Sequence, residues 1–432
     1  MKKKLDYFHN LGKSVLKSLE VPDGILASGE HIYSCIFGRD SLITALKLLR
    51  AYRSDPDLYY LELTKKILNG LAKLQGSEVN IESGEEPGKM IHEFRITGHE
   101  RLTQSIPPWY QYPDGTMRNF DTVDATPLFL ITTYRFYQRS GDHAFIAQIE
   151  ENIKMALVWI LEYGDKNGDG FINYQTPPER KSGGLLVHNW MDSSEAVFHE
   201  DEKLEIIFPI APAEAQAYSY LALKLWAPYF SERDKKFSQK LIARADDLKK
   251  NFNKEFVLAN RPEQFALAHS LDGKGNPLAS MRSTAGHILW ACLNPIDDGK
   301  TDCILEEKYV PALVRSLFDP DLFEENAGIR TLSKKSRSFD PLSYHNGSIW
   351  PHDNSIIAEG LENLGYVGGA RNIRKAIFKA FDHFKTPIEL FVYWNGEYRE
   401  YKSPGGQIGC RNQAWSAAAM IADSLALKKP AK

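Results

Sequence analysis

Two carboxylates in this chain sit where carboxylates are rarely found without a reason. Asp192 lies in "HNWMDSSEAVFH", beside the indole of Trp190. The plainer reading makes it a helix N-cap, since aspartate accepts backbone N–H bonds there. The chemical reading makes it an acid kept protonated near neutral pH by an apolar neighbour, ready to give a proton. Glu389 lies in "FKTPIELFVYWNGEY" among Ile388, Leu390 and Phe391. Strand alternation would turn it outward to solvent; otherwise it is a buried carboxylate that needs a partner or a task. Glu397 competes for that task but sits at the expected hairpin turn and ranks lower. A pair of carboxylates, one protonating a leaving oxygen and one activating water from the opposite face, is the minimum for glycoside hydrolysis.

Other stretches could surround such a pair. "CIFGRDSLIT" places Arg39 and Asp40 at a helix mouth, a fork of donors beside an acceptor that suits vicinal hydroxyls. "GKMIHEFR" contributes His92 and Glu93, and "TVDATPLF" contributes Asp124, as further substrate-binding candidates. "SYHNGSIWPHDN", Ser343 to Asn354, packs His345, Asn346, Gly347 and Trp350 before an amphipathic helix. "DKNGDGFINY" carries Asp165, Asn167 and Asp169 in the order that opens an EF-hand calcium loop. Its twelfth position is Thr176 rather than glutamate, and Pro177 and Pro178 interrupt the helix that should follow. A turn-rich loop is therefore expected there rather than calcium, and no cofactor or catalytic metal is expected.

Composition narrows the class of partner. Aromatic residues reach 12%, and many stand in polar loops such as "PPWYQYPDG" and "SIWPHDN", where flat faces beside hydroxyl-binding groups suit a sugar. The net charge of −3 is spread without a basic stripe, which argues against a nucleic-acid partner. No apolar run approaches a membrane span, and no apolar stretch follows the lysines of "MKKKLDYFHN". The four cysteines, Cys35, Cys292, Cys303 and Cys410, lack metal-ligand spacing and read as reduced thiols of a cytoplasmic protein. Oligomeric state is not legible.

The elements that must position these groups are helices. "GRDSLITALKLLRAYR" sets Leu42, Leu46 and Leu49 on one face, and comparable periodicity recurs to "NQAWSAAAMIADSLAL" near the end. Strands are few, the clearest being a hairpin around Asn395-Gly396. No linker divides the 432 residues and no repeat unit recurs, which disfavours a solenoid. The expectation is all-α: one domain over 1–432, closed as a double ring of helices.

Taken in order, "FGRDSLIT", "KMIHEFR", "VDATPLFL", "NWMDS", "AEAQAYSYLAL", "GHILW", "GIRTLS", "SYHNGSIWPHDN" and "NQAWSAA" resemble bacterial amylo-α-1,6-glucosidase-like proteins, akin to the glucosidase half of glycogen debranching enzymes. The resemblance runs from about Tyr33 to Ala418 and implies an (α/α)6 barrel that inverts configuration without a metal. It implies Asp192 as general acid and Glu389 as general base. Arg39, Asp40, Trp190, His345, Asn346, Gly347 and Trp350 would line the pocket for the terminal sugar. Release of glucose from an α-1,6-linked glucoside is expected. Family members often carry a further N-terminal domain, and "PIELF" replaces the family's "PELF"-like setting. A short oligosaccharide or glucoside is thus expected rather than a branched polymer. Related barrels act on sucrose, trehalose or glucosylglycerate, and a silent glycan binder is the alternative of another class. Inversion predicts a carboxyl separation of roughly 6.5–9.5 Å.

Overall fold

The computed structural model describes residues 2–30, 33–258 and 265–429. Six helices form an inner ring whose packing closes on itself. Gly38–Tyr52 packs on Ala125–Ser140, which packs on Ala213–Phe230, then Ala285–Trp290, Pro351–Asn363 and Ala414–Lys428, and the last returns to Gly38–Tyr52. A second helix lies outside each member: Leu58–Lys73, Glu150–Val158, Lys235–Glu255, Val310–Leu317, Val367–Phe384 and Lys2–Leu19.

Burial follows from this arrangement. An inner helix has neighbours on every side and reads as apolar or small nearly all round; all six residues of Ala285–Trp290 are buried. An outer helix buries one stripe. Lys235–Glu255 hides Phe237, Leu241, Ala245, Leu248 and Phe252, at spacings of three, four and seven, and turns its lysines to solvent. Lys2–Leu19 buries Leu5, Phe8, Val15, Leu16 and Leu19 in the same way against the last inner helix.

Strands are short and belong to the connections. Ile36–Phe37, Glu93–Arg95 and Met117–Asn119 form a three-stranded sheet that leads into the first inner helix. Gly38 follows directly; a Cβ there would meet the carbonyl oxygen of Ile91 at 2.1 Å, so only glycine lets the helix start this close to the sheet. Phe391–Trp394 and Glu397–Glu400 form the expected hairpin, with Asn395 and Gly396 both at positive φ in the turn. Among the described residues no helix is long and apolar enough to cross a membrane.

The expectation of four reduced thiols is corrected for two of them. Leu293 and Asp302 pair as an antiparallel bridge, which brings the flanking Cys292 and Cys303 to a Cα separation of 4.4 Å, and they form a disulfide. Their spacing of eleven residues carries no sign of that bridge. The bonded loop carries Asp297 and Asp298, which pair with Arg139 and Arg135 of the second inner helix. Cys35 and Cys410 are free and buried.

Candidate functional site

The starts of the inner helices meet at one end of the ring. Arg39, in the first turn of Gly38–Tyr52, donates through Nε to Asp124 Oδ2 at 2.9 Å, just before the next helix. Asn189 Nδ2 donates to Glu214 Oε1, in the first turn of Ala213–Phe230, at 2.7 Å. His287 Nε2 lies 2.7 Å from Asp353 Oδ1, His352 stacks on Trp415, and Gln413 Nε2 donates to Asp40 Oδ1 at 2.9 Å, closing the circuit. Helix N-termini carry partial positive charge and free N–H groups, so this end favours carboxylates.

Asp192 comes from a long connection between inner helices and keeps 24% of its side chain exposed. Arg39 Nη1 donates to its Oδ2 at 3.1 Å, while Arg39 Nη2 donates to the carbonyl of Asn189 at 3.1 Å. Burial pushes the Asp192 carboxyl up to about 6, against the charge and hydrogen bond of Arg39, with Asp124 adding a smaller upward push. Burial opposes the charge on Arg39, but Asp124, Asp192 and Asp40 outweigh it and push its pKa up. The fork of Arg39 is thus engaged by Asp124, Asp192 and a backbone carbonyl.

Glu389 is 1% exposed. Tyr344 donates its hydroxyl proton to Oε1, and the N–H of Cys410 donates to Oε2 at 2.8 Å. Burial pushes this carboxyl up to about 7; the bonds from Tyr344 and Cys410 pull it down, and the charge of Asp192 pushes it up. Asp40 is pushed up to about 8, by burial first, against the pull of Arg39 and with the charges of Glu389 and Asp192 adding to the rise. Three carboxyls therefore share one field and resist ionising together. Glu214, in the first turn of its inner helix, is pushed up to about 6 by burial against its bond from Asn189. Glu397, by contrast, is 66% exposed at the hairpin turn and paired with Arg399.

Asp192 and Tyr33 both border two cavities. One of about 860 Å³ is lined by Ser193, Tyr344, Asn346, Tyr401 and Gln407 among others. One of about 190 Å³ is lined by Phe37, His92, Glu93, Arg95, Arg101 and Trp109 among others. Of the residues anticipated from sequence, Asp192 and Asn346 border the larger space, and His92 and Glu93 the smaller. Arg39, Asp40 and Asp124 stand behind as an ion and hydrogen-bond layer.

The aromatic residues of the anticipated wall are packed beneath it. Trp190 and Trp350 are buried and meet edge to face at 5.7 Å; His345 stacks on Trp350 at 5.1 Å. Trp350 Nε1 donates to the carbonyl of Tyr344 at 3.1 Å. His345 Nδ1 accepts from the N–H of Ser193 at 3.3 Å, which fixes the residue following Asp192. Burial holds His345, and likewise His92, well below the ordinary imidazole range, so both rings are neutral. Gly347 has no room for a side chain, with Asp340 O 2.5 Å from where a Cβ would stand. "SYHNGSIWPHDN" is thus a scaffold whose Tyr344 and Asn346 reach the cavity. In the Asp165 loop, the Asp165 oxygens accept from the N–H groups of Gly168 and Gly170, and Asp169 Oδ1 accepts from Phe171.

Tyr33, Tyr344, Tyr401, Gln407 and Arg101 are cavity residues that sequence reasoning did not single out. Tyr344 stood inside a quoted motif; Gln407, in "SPGGQIG", carries no signal at all.

The family model for the mannosylglycerate hydrolase MGH1-like glycoside hydrolase domain matches residues 234–387. A search of curated proteins finds no match. Among solved structures, the GH63 mannosylglycerate hydrolase from Thermus thermophilus in complex with Tris and D-glycerate is 13% identical, with a TM-score of 0.65 over 96% of this chain and 99% of that one. The same enzyme in complex with glucose is 15% identical, with a TM-score of 0.61 over 96% and 99%. A glycosidase variant in complex with glucose is 14% identical, with a TM-score of 0.59 over 98% of each chain. The family model and the Thermus thermophilus enzyme are of the mannosylglycerate hydrolase type, whereas the sequence motifs resemble amylo-α-1,6-glucosidases. From near its first residue to near its last, the chain has the helical fold of these glycoside hydrolases.

Proposed function

We propose that the chain is an (α/α)6-barrel glycoside hydrolase that releases a hexose, with inversion, from a small glycoside whose aglycone carries a carboxylate, of the glucosylglycerate or mannosylglycerate kind. This replaces the α-1,6-glucosidase reading. The observation that carries it is the placement of Asp192 at the border of two spaces, one bearing Tyr344 and one bearing Arg101. A sugar between Asp192 and Glu389 would place its glycosidic oxygen against Asp192. The leaving group would then enter the smaller space, whose size suits a short acid rather than a glucan chain. Arg101 is exposed there and forms no ion pair among the described residues, so a substrate carboxylate would be its partner. The match to the mannosylglycerate hydrolase-like model supports the same aglycone.

In this mechanism Asp192 gives its proton to the leaving oxygen, and Arg39 stabilises the carboxylate that results. Glu389, with a donor on each oxygen, takes the proton of a water attacking from the other face. Neutral His92 and His345 add no competing charge.

The test is proton NMR of purified protein with glucosylglycerate, mannosylglycerate, isomaltose, panose, sucrose and trehalose, following the anomeric signal of the first hexose released. Initial β-anomer from an α-linked glycerate glycoside supports the proposal. Initial α-anomer would refute inversion. Turnover of isomaltose or panose alone would return the assignment to an α-1,6-glucosidase.

A further inference from the structure

The geometry points to a positioning relay, Gln407 to Tyr33 to Tyr344, that keeps the Glu389 carboxylate oriented and ionised; its use in catalysis rests on the reading of Glu389 as the base. The direction of the relay follows from counting protons. Tyr344 has one O–H and gives it to Glu389 Oε1. Its oxygen must therefore accept from Tyr33, whose hydroxyl lies 3.0 Å away, and this spends the only proton of Tyr33. The oxygen of Tyr33 must accept in turn, and Gln407 Nε2, which can only donate, stands 2.8 Å from it. All three bonds run toward the carboxylate, so each polarises the next.

The same segment reaches the other oxygen directly. Cys410, three residues beyond Gln407, donates its N–H to Oε2 at 2.8 Å and accepts the N–H of Glu389 at 2.8 Å. The loop is held by a bridge between Lys402 and Ile408 and by Ser403, whose N–H donates to the Gln407 carbonyl at 2.8 Å. One short loop therefore controls both oxygens, one through the backbone and one through two tyrosines. Because Gln407, Tyr33 and Tyr344 also line the larger cavity, a ligand that draws Gln407 or Tyr33 to itself changes the state of Glu389. The titrating groups that bear on Glu389 are Tyr33, Tyr344, Tyr401, the Cys410 thiol, Asp192 and Asp40; the hydrogen bonds from Tyr344 and Cys410 favour its ionised form.

The experiment is carbon-13 NMR of the full chain labelled at the glutamate side-chain carboxyl, with Glu389→Gln identifying the Glu389 resonance. Its titration midpoint is compared in wild type, Tyr344→Phe, Tyr33→Phe and Gln407→Leu. Tyr344→Phe should raise the midpoint by about one to two pH units, the worth of a hydrogen bond to a charged group. Tyr33→Phe and Gln407→Leu should raise it by less. An unchanged midpoint in Tyr344→Phe overturns the relay, and so does a shift confined to Tyr344→Phe. Gln407 is exposed, so its replacement keeps the test sound where a tyrosine variant fails to fold. No substrate is needed, so failure of every glycoside assay would refute the proposed function and leave this result readable.

Discussion

Arg39 and Asp192 share a hydrogen bond of 3.1 Å, and the same guanidinium holds Asp124 at 2.9 Å. A buried cation thus ties the candidate acid to the start of the neighbouring inner helix. Lysine would keep the charge but cannot make three directed bonds from a planar fork. Arg39→Lys should lower kcat/KM by about 100-fold or more and lower stability by about 1–3 kcal/mol, since a lysine cannot remake all the bonds to Asp124, Asp192 and the Asn189 carbonyl. Because Arg39 pulls the Asp192 carboxyl down, Arg39→Ala should shift the pH profile upward. Chemical denaturation and pH–rate measurements check the two statements separately.

Asp192→Asn and Glu389→Gln should each lower kcat by about 10²–10⁴-fold, the usual worth of a positioned acid or base. Binding of the free sugar should change little in either, because Tyr33, Tyr344, Asn346 and the other residues that line the cavities are untouched. Glu397→Gln should leave kcat within about twofold, since that side chain is exposed and paired with Arg399 at the hairpin. A large loss in Glu397→Gln would reverse the assignment of the base.

Glu389 and Asp192 are pushed up to about 7 and about 6, and the charge of Asp192 adds to the rise of Glu389. The pair therefore loses its first proton near 6 and its second near 7, and the singly protonated form peaks between. Activity should rise as pH increases through the lower midpoint, be greatest near 6.5, and fall through the upper one. The limbs belong to the pair and do not by themselves say which carboxyl holds the proton. A profile that is flat from pH 5 to 8 would remove this pair from the chemistry.

The helices were legible in the sequence because their signal is local. Leu42, Leu46 and Leu49 repeat at spacings that one helix face dictates, and Asn395-Gly396 marks a hairpin turn within two residues. Asp192 and Glu389 stood out for being charged in apolar settings. Their partners could not be read, since Arg39 and Asp124 are 85 positions apart and Tyr33 and Tyr344 are 311 apart. Trp190 and Trp350 show a further limit. A flat ring in a polar loop suits a sugar face and suits packing under a loop equally well, and composition does not distinguish the two. The disulfide between Cys292 and Cys303 depended on a bridge that no spacing announces.

Asp40 ties the site to stability. Burial and the charges of Glu389 and Asp192 push its carboxyl up to about 8, whereas the unfolded chain leaves it near the model-peptide value of about 3.9. Between those values the folded protein binds the proton more tightly than the unfolded one. Stability from this group is therefore full below about pH 4 and is lost as pH rises toward 8. Asparagine keeps the shape and still accepts from Gln413 without the charge. Asp40→Asn should raise stability at pH 8 by about 1 kcal/mol or more relative to wild type, with the difference shrinking as pH falls to 4. If Asp40 also holds a sugar hydroxyl, the same variant loses affinity for the hexose while gaining stability. Thermal unfolding at pH 4, 6 and 8, paired with hexose titration calorimetry, reads both. Equal destabilisation at all three pH values would mean that the burial of charge does not govern this position.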